Sequence, residues 1–113
     1  MIDDYRTPRW LKTLFRNWYD PCPFKAKFDG LKTNWLNRTY VNPPYSNPLP
    51  WVEKAIEESK KGKTIVMLLR LDSSTKWYRK LVENKAHILL INERIRFANN
   101  SPSNFASMLV ILK

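Results

Sequence analysis

Apolar residues return at helical spacing from Arg9 to Trp18, where Trp10, Leu11, Leu14, Phe15 and Trp18 share one side of the period. Pro8 suits the first position of such a helix, because its missing N–H would have no partner there, and Thr7 stands where a cap belongs. Tyr19-Asp20-Pro21-Cys22-Pro23 then breaks the regularity, and Phe28-Asp29-Gly30-Leu31 reads as a turn. Trp35 precedes Thr39-Tyr40-Val41, a β-branched and aromatic run that predicts a short strand. The helical period resumes from Pro50 to Lys61, with Trp51, Val52, Ala55, Ile56 and Ser59 on one face and Glu53, Lys54, Glu57, Glu58 and Lys60 on the other. Gly62 ends that helix behind lysines in its last turn.

Thr64 to Leu69 is apolar without alternation, as expected of a buried parallel strand. Asp72-Ser73-Ser74 is a cap cluster before a helix from Thr75 to Asn84. His87 to Ile91 predicts another buried strand, Arg94-Ile95-Arg96-Phe97 a short exposed one, and Ser107 to Leu112 a last strand. Alternating helices and strands of this kind predict an α/β fold, a mostly parallel sheet with helices on its faces. The 113 residues suffice for one domain spanning 1–113, with no repeat or linker.

The strand at Tyr40 runs into Asn42-Pro43-Pro44-Tyr45, and open α/β sheets bind ligands at the carboxyl ends of their strands. The tetrapeptide suits a flat ring that bears an amine. The Asn42 amide oxygen can accept one amine hydrogen. Pro44 keeps Pro43 out of the helical region, which aims the Pro43 carbonyl at the other. Tyr45 offers a face for stacking. With both hydrogens engaged, the amine lone pair turns toward an electrophile. The alternative is a rigid turn without chemistry.

Lys and Arg number 20 against 10 Asp and Glu, a formal net charge of +10. That excess points to a polyanionic partner, most simply nucleic acid. Arg70, Lys76, Arg79, Lys80, Arg94 and Arg96 are the candidate contacts. No stretch is long enough to span a membrane. Met1 to Tyr5 lacks the features of a signal peptide, so a cytoplasmic protein is expected. Cys22 is the lone cysteine and His87 the lone histidine, so neither a disulfide, a metal site nor a His-dependent triad is expected. Asp72 is either a cap for the helix after it or a reader of the target, the cap being favoured.

Taken in order, Thr7-Pro8, Asp20-Pro21-Cys22-Pro23, Phe28-Asp29-Gly30-Leu31 with Trp35, Asn42-Pro43-Pro44-Tyr45-Ser46, Asp72-Ser73-Ser74-Thr75-Lys76-Trp77, and Arg94-Ile95-Arg96-Phe97 with Pro102 and Ser107 resemble the phage-type, Dam-like DNA N6-adenine methyltransferases. The resemblance covers nearly the whole chain. It implies a reduced Rossmann-like fold, S-adenosyl-L-methionine as cofactor, and methyl transfer to the 6-amino group of adenine in DNA, in the host cytoplasm if the protein is viral. It implies that Asn42 and Pro43 bind the amine, that Tyr45 stacks on a base turned out of the duplex, and that Thr7, Pro8, Asp20 and Pro21 lie against the cofactor. Asp29 is either a ribose-binding carboxylate or a turn residue. The chain departs from the general pattern in having two glycines, with Pro21, Cys22 and Pro23 where a glycine-rich loop is usual. It also has little room for further strands between Asp20 and Tyr40. A homodimer would complete the site or the DNA surface. Competing readings are a nucleic-acid-binding module on a degenerate fold, and a methyltransferase acting on RNA or protein glutamine.

Overall fold

The computed structural model describes residues 6–92, 94 and 105–113. In chain order these form α1 (Arg9–Leu14), a one-turn 3-10 helix (Gly30–Lys32), β1 (Arg38–Val41), α2 (Leu49–Ser59), β2 (Thr64–Arg70), α3 (Lys76–Glu83), β3 (His87–Leu90) and β4 (Ser107–Leu112). The strands make one sheet in the order β1-β2-β4-β3. β1 and β2 are parallel, whereas β4 runs antiparallel to both β2 and β3. β1, β2 and β3 therefore point the same way, and β4 is inserted against them. The expectation of a mostly parallel sheet is corrected accordingly: the sheet is mixed. A buried strand reads as continuous apolar sequence whichever way its neighbour runs. β4 pairs directly and antiparallel with β3, an arrangement that adjacent strands reach without a crossover helix.

Side chains alternate across the sheet. Val41, Ile65, Met67, Leu69, Met108, Val110 and Leu112 face α2 and α3, where Trp51, Val52, Ala55, Ile56, Trp77 and Leu81 complete a large core. Tyr40, Val66 and Leu68 face the other way and pack with Leu11, Tyr45, Phe15 and Trp18. Helices thus cover both faces. α1 is shorter than its period suggests, stopping at Leu14, and of its apolar residues Leu11 alone is fully buried. Trp10 and Leu14 face solvent instead of the core. β3 departs too: it is an edge strand with Leu89 and Leu90 exposed, not a buried one. The short strand expected at 94–97 lies outside the described residues apart from Arg94, which is exposed and outside any strand.

Two local contacts hold the chain that leads into β1. Gly30 sits so close to Pro21 that a Cβ would fall 1.8 Å from the Pro21 carbonyl oxygen. The Trp35 indole donates to the Gly30 carbonyl at 2.8 Å. Glu58, expected on the solvated face of α2, is in fact buried. Its carboxylate accepts the Trp35 N–H at 2.9 Å and pairs with Lys61 at 2.6 Å and Lys63 at 2.9 Å. Burial of a carboxylate is tolerated when its lone pairs are used in this way. Lys63 also donates to the Trp35 carbonyl. The helix is thereby tied to the segment that delivers β1.

Candidate active site

Tyr19 extends the sheet by a single residue. Its N–H donates to the Arg38 carbonyl at 2.9 Å and its carbonyl accepts from Tyr40 at 2.8 Å, a parallel bridge with Thr39. Asp20 and Pro21 therefore leave the sheet beside the residues that leave β1, so the Asp20 loop and Asn42-Pro43-Pro44-Tyr45 emerge at the same end. Arg70 and Asp72 emerge there from β2, because β1 and β2 run parallel. Arg94 follows the equally directed β3.

Alternation puts Tyr40 and Asn42 on one face, and α1 closes over that face. The Thr7 hydroxyl lies 3.1 Å from the Tyr40 hydroxyl, and the Asn42 amide NH₂ donates to the Thr7 hydroxyl at 3.3 Å. Thr7 therefore does not cap α1, as the sequence suggests. The Pro8 carbonyl opens that helix by accepting from Leu11 and Lys12, with no side-chain cap. Thr7 instead bonds the Tyr40 hydroxyl and accepts from the Asn42 amide. Phe15 stacks on Tyr40 with centroids 4.8 Å apart and secures the group from the α1 side.

Burial drives the electrostatics. Desolvation raises the Asp20 carboxyl above its ordinary range, against the opposing pull of the Cys22 N–H and Lys12. The Cys22 N–H donates to Asp20 at 2.9 Å. Burial also raises the Tyr40 hydroxyl, the Thr7 hydrogen bond opposing and the Asp20 charge adding to it. The Cys22 thiol is pushed up to about 11 by burial and by Asp20, which keeps it protonated and unreactive near neutrality. A partly buried carboxylate in such a place favours a cationic ligand.

Pro43 is buried, and the Pro44 carbonyl accepts from Asn47 at 3.2 Å, closing the turn. Tyr45 is 8% exposed, with its ring against Phe105 at 5.2 Å. The Asn42 side-chain amide oxygen and the Tyr45 hydroxyl are both buried. Asp29 is exposed and accepts from the Leu31 N–H at 3.0 Å, capping the 3-10 turn. Its role as a turn residue is thus visible directly.

The basic candidates divide. Arg70 lies 3.9 Å from Asp72 and 5.7 Å from the Trp77 ring centroid, at the same end as Asn42. Lys76 opens α3 near that end and is exposed, and Arg79 is exposed one turn further on. Lys80 reaches Glu53 on α2 at 3.6 Å, an inter-helix contact. Arg96 is outside the described residues. Asp72 is not the cap of α3, as favoured from sequence. The Thr75 hydroxyl accepts from Tyr78 as that cap, while Asp72 accepts from the Ser74 hydroxyl at 2.6 Å and from its N–H at 3.1 Å. The Ser74 contacts hold the Asp72 carboxyl below its usual range. Sequence reasoning missed Tyr40 and Phe105 at this site. Tyr40 was accessible from strand alternation, being two residues before Asn42; Phe105 left no signal.

Among the described residues no three His, Cys, Asp or Glu side chains are placed to hold a metal ion. Among them, too, no helix is long and apolar enough to cross a membrane.

Comparison with known proteins adds what geometry cannot. A DNA N-6-adenine-methyltransferase of Haemophilus phage HP1 is 51% identical over 73 residues, 62% of this chain and 42% of that protein. A DNA N-6-adenine-methyltransferase of Escherichia phage T1 is 40% identical over 72 residues, 58% of this chain and 30% of that protein. The chain thus spans less than half the length of these curated relatives. No solved structure matches it. The family model described as DNA N-6-adenine-methyltransferase (Dam) matches residues 23–113, which include Asn42-Pro43-Pro44-Tyr45 but not Thr7, Pro8, Asp20 or Pro21. With four-fifths of its length under that model, the chain belongs to the DNA N-6-adenine-methyltransferase (Dam) family.

Proposed function

We propose that this chain transfers a methyl group from S-adenosyl-L-methionine to the 6-amino group of adenine in DNA, as part of a phage's chemistry in the host cytoplasm, on a reduced Rossmann-like fold. The observation that carries the reading is Asn42-Pro43-Pro44-Tyr45 leaving the carboxyl end of β1, with its amide bonded to Thr7 and the Asp20 loop alongside. Three like-directed strands with loops gathered at one end, and helices on both faces, support the fold assignment.

The residues beside Asn42 fit the cofactor. It carries an ammonium and a sulfonium, and a half-buried carboxylate such as Asp20 suits a cation better than an anion. Thr7, Pro8 and Pro21 line the same end, and Asp29 has a second carboxylate oxygen suited to hydroxyl groups. When bound, S-adenosyl-L-methionine supplies an electrophilic methyl group. The protein's part is positioning. The Asn42 side-chain amide oxygen and the Pro43 carbonyl each accept a hydrogen of the adenine amine, which directs the nitrogen lone pair outward. The same two dipoles stabilise positive charge as it grows on that nitrogen. Tyr45 stacks on the base once Phe105 moves aside. The surplus proton leaves to water, so the chemistry needs no histidine or cysteine. Arg70, Lys76, Arg79, Arg94 and Arg96 serve the DNA backbone.

The test pairs turnover with binding. Purified protein, S-adenosyl-L-methionine and mixed-sequence DNA should yield N6-methyladenine in a nucleoside digest analysed by mass spectrometry. Asn42→Ala should lower the single-turnover rate on the order of a hundredfold, while cofactor binding by calorimetry changes little. Methylation of cytosine alone, of RNA in preference to DNA, or full turnover in Asn42→Ala would sink the reading. Cofactor-independent DNA binding without any transfer would favour a degenerate binding module.

A further inference from the structure

We infer that the turn bearing Phe24, Lys25, Lys27 and Phe28, together with Arg6, is a DNA contact surface bordering the Asn42 site: it stacks nucleotides that flank the target and neutralises their phosphates. This rests on the DNA methyltransferase reading above and adds a contact region to it.

The placement follows from a short chain of contacts. Asn42 donates to Thr7. Arg6 is the next residue back along the chain, and its guanidinium lies 4.0 Å from the Phe24 ring centroid. Phe24 is therefore two residue contacts from the proposed amine-binding amide. The Ala26 N–H donates to the Pro23 carbonyl at 3.1 Å, which closes a tight turn with Phe24 and Lys25 at its tip. Lys25 takes φ 54, a left-handed backbone that a residue with a Cβ seldom adopts, and its ammonium lies 5.4 Å from the same ring.

The chemistry of the surface selects the partner. Phe24 is 53% and Phe28 44% exposed. Neither ring belongs to the core clusters that hold Trp35, Trp51 and Tyr40. Between Pro23 and Phe28 the charged residues are Lys25 and Lys27, both exposed, and the next acid, Asp29, is engaged with the Leu31 N–H. Exposed rings interleaved with cations suit unstacked nucleotides, since every base has a face to stack and every linkage a phosphate to neutralise. Turning a base out of the duplex deprives its neighbours of a stacking partner, and this turn borders the Asn42 site through Arg6 and Thr7.

Fluorescence anisotropy measures it, using a labelled mixed-sequence duplex with one mismatched adenine, titrated at several salt concentrations. Phe24→Ala with Phe28→Ala should weaken binding roughly tenfold per ring, with the salt slope unchanged. Phe24→Tyr with Phe28→Tyr should restore it. Lys25→Gly, which keeps the left-handed backbone, combined with Lys27→Ala should lower the slope of log affinity against log salt by roughly two. Circular dichroism melts should match the unaltered protein throughout, because all four side chains are exposed. If the unaltered protein binds and the double Phe→Ala variant binds as tightly, the stacking surface is refuted while the methyltransferase reading stands. If the lysine variant keeps the full slope, phosphate contact at this turn is refuted. If the unaltered protein binds no DNA at any salt, the parent reading fails and this inference with it.

Discussion

Single residues at this site act chiefly by placing other residues. Thr7 illustrates it: one hydroxyl meets both the Tyr40 hydroxyl and the Asn42 amide, and thereby joins the chain before α1 to the end of β1. Gly30 does the same by lacking a side chain. Its backbone stands against the Pro21 carbonyl, with the Trp51 ring close behind. A methyl group there meets backbone on one side and a buried indole on the other, neither of which gives way cheaply. Gly30→Ala should therefore destabilise the fold by at least about 2 kcal/mol, measured as a shift in the urea midpoint. It should also weaken the cofactor binding proposed for the Asp20-Pro21 loop, because that loop is the part displaced. An unchanged midpoint would mean that the loop relaxes freely. The one-turn helix at Gly30–Lys32 and its Asp29 cap hold that loop from below.

At the scale of elements, the weight falls on α2. It packs on the sheet through Trp51, Val52, Ala55 and Ile56, and at its end Glu58 grips the strand-entry segment. Desolvation opposes the charge on Glu58, but Lys61, the Trp35 N–H and Lys63 outweigh it and lower the carboxyl from 4.5 to about 2. A carboxyl with a lowered folded pKa stabilises the fold above its unfolded pKa and loses that contribution as pH falls through the folded value. The thermal midpoint should thus drop as pH falls from about 4.5 to about 2. Glu58→Gln should cost about 2–3 kcal/mol near pH 7 and flatten the acid limb of the profile. Thermal melts of both proteins from neutral to strongly acid pH decide it. An acid limb left unchanged by Glu58→Gln would show that other carboxylates carry the loss. At the other side, β3 lacks comparable cover: Leu89 and Leu90 are exposed along the sheet edge.

For the whole molecule, charge sets the first encounter with a partner. With a formal net charge of +10, affinity for DNA should fall steeply as salt rises, through loss of counterion release. Anisotropy with a fully paired duplex at increasing salt checks this, and a flat response would show that the excess charge is not the binding determinant. Sequence by itself determined the α/β class, the helix at Leu49–Ser59, the strands at β1, β2 and β4, and the tetrapeptide at the end of β1. Each of these depends on local period, turn chemistry or composition, which neighbours in the chain suffice to express. Tertiary structure alone decided the rest. An apolar run cannot state the direction of its neighbour, so the reversal of β4 was hidden. A helical stripe cannot state how much of it is covered, so Trp10 and Leu14 emerged in solvent. Glu58 looked like a solvated helix residue because the Trp35 N–H that it accepts comes from a segment twenty-three residues away. Thr7 resembled a cap for the same reason: the groups that bind it are more than thirty residues away, and only folding brings such partners within hydrogen-bond reach.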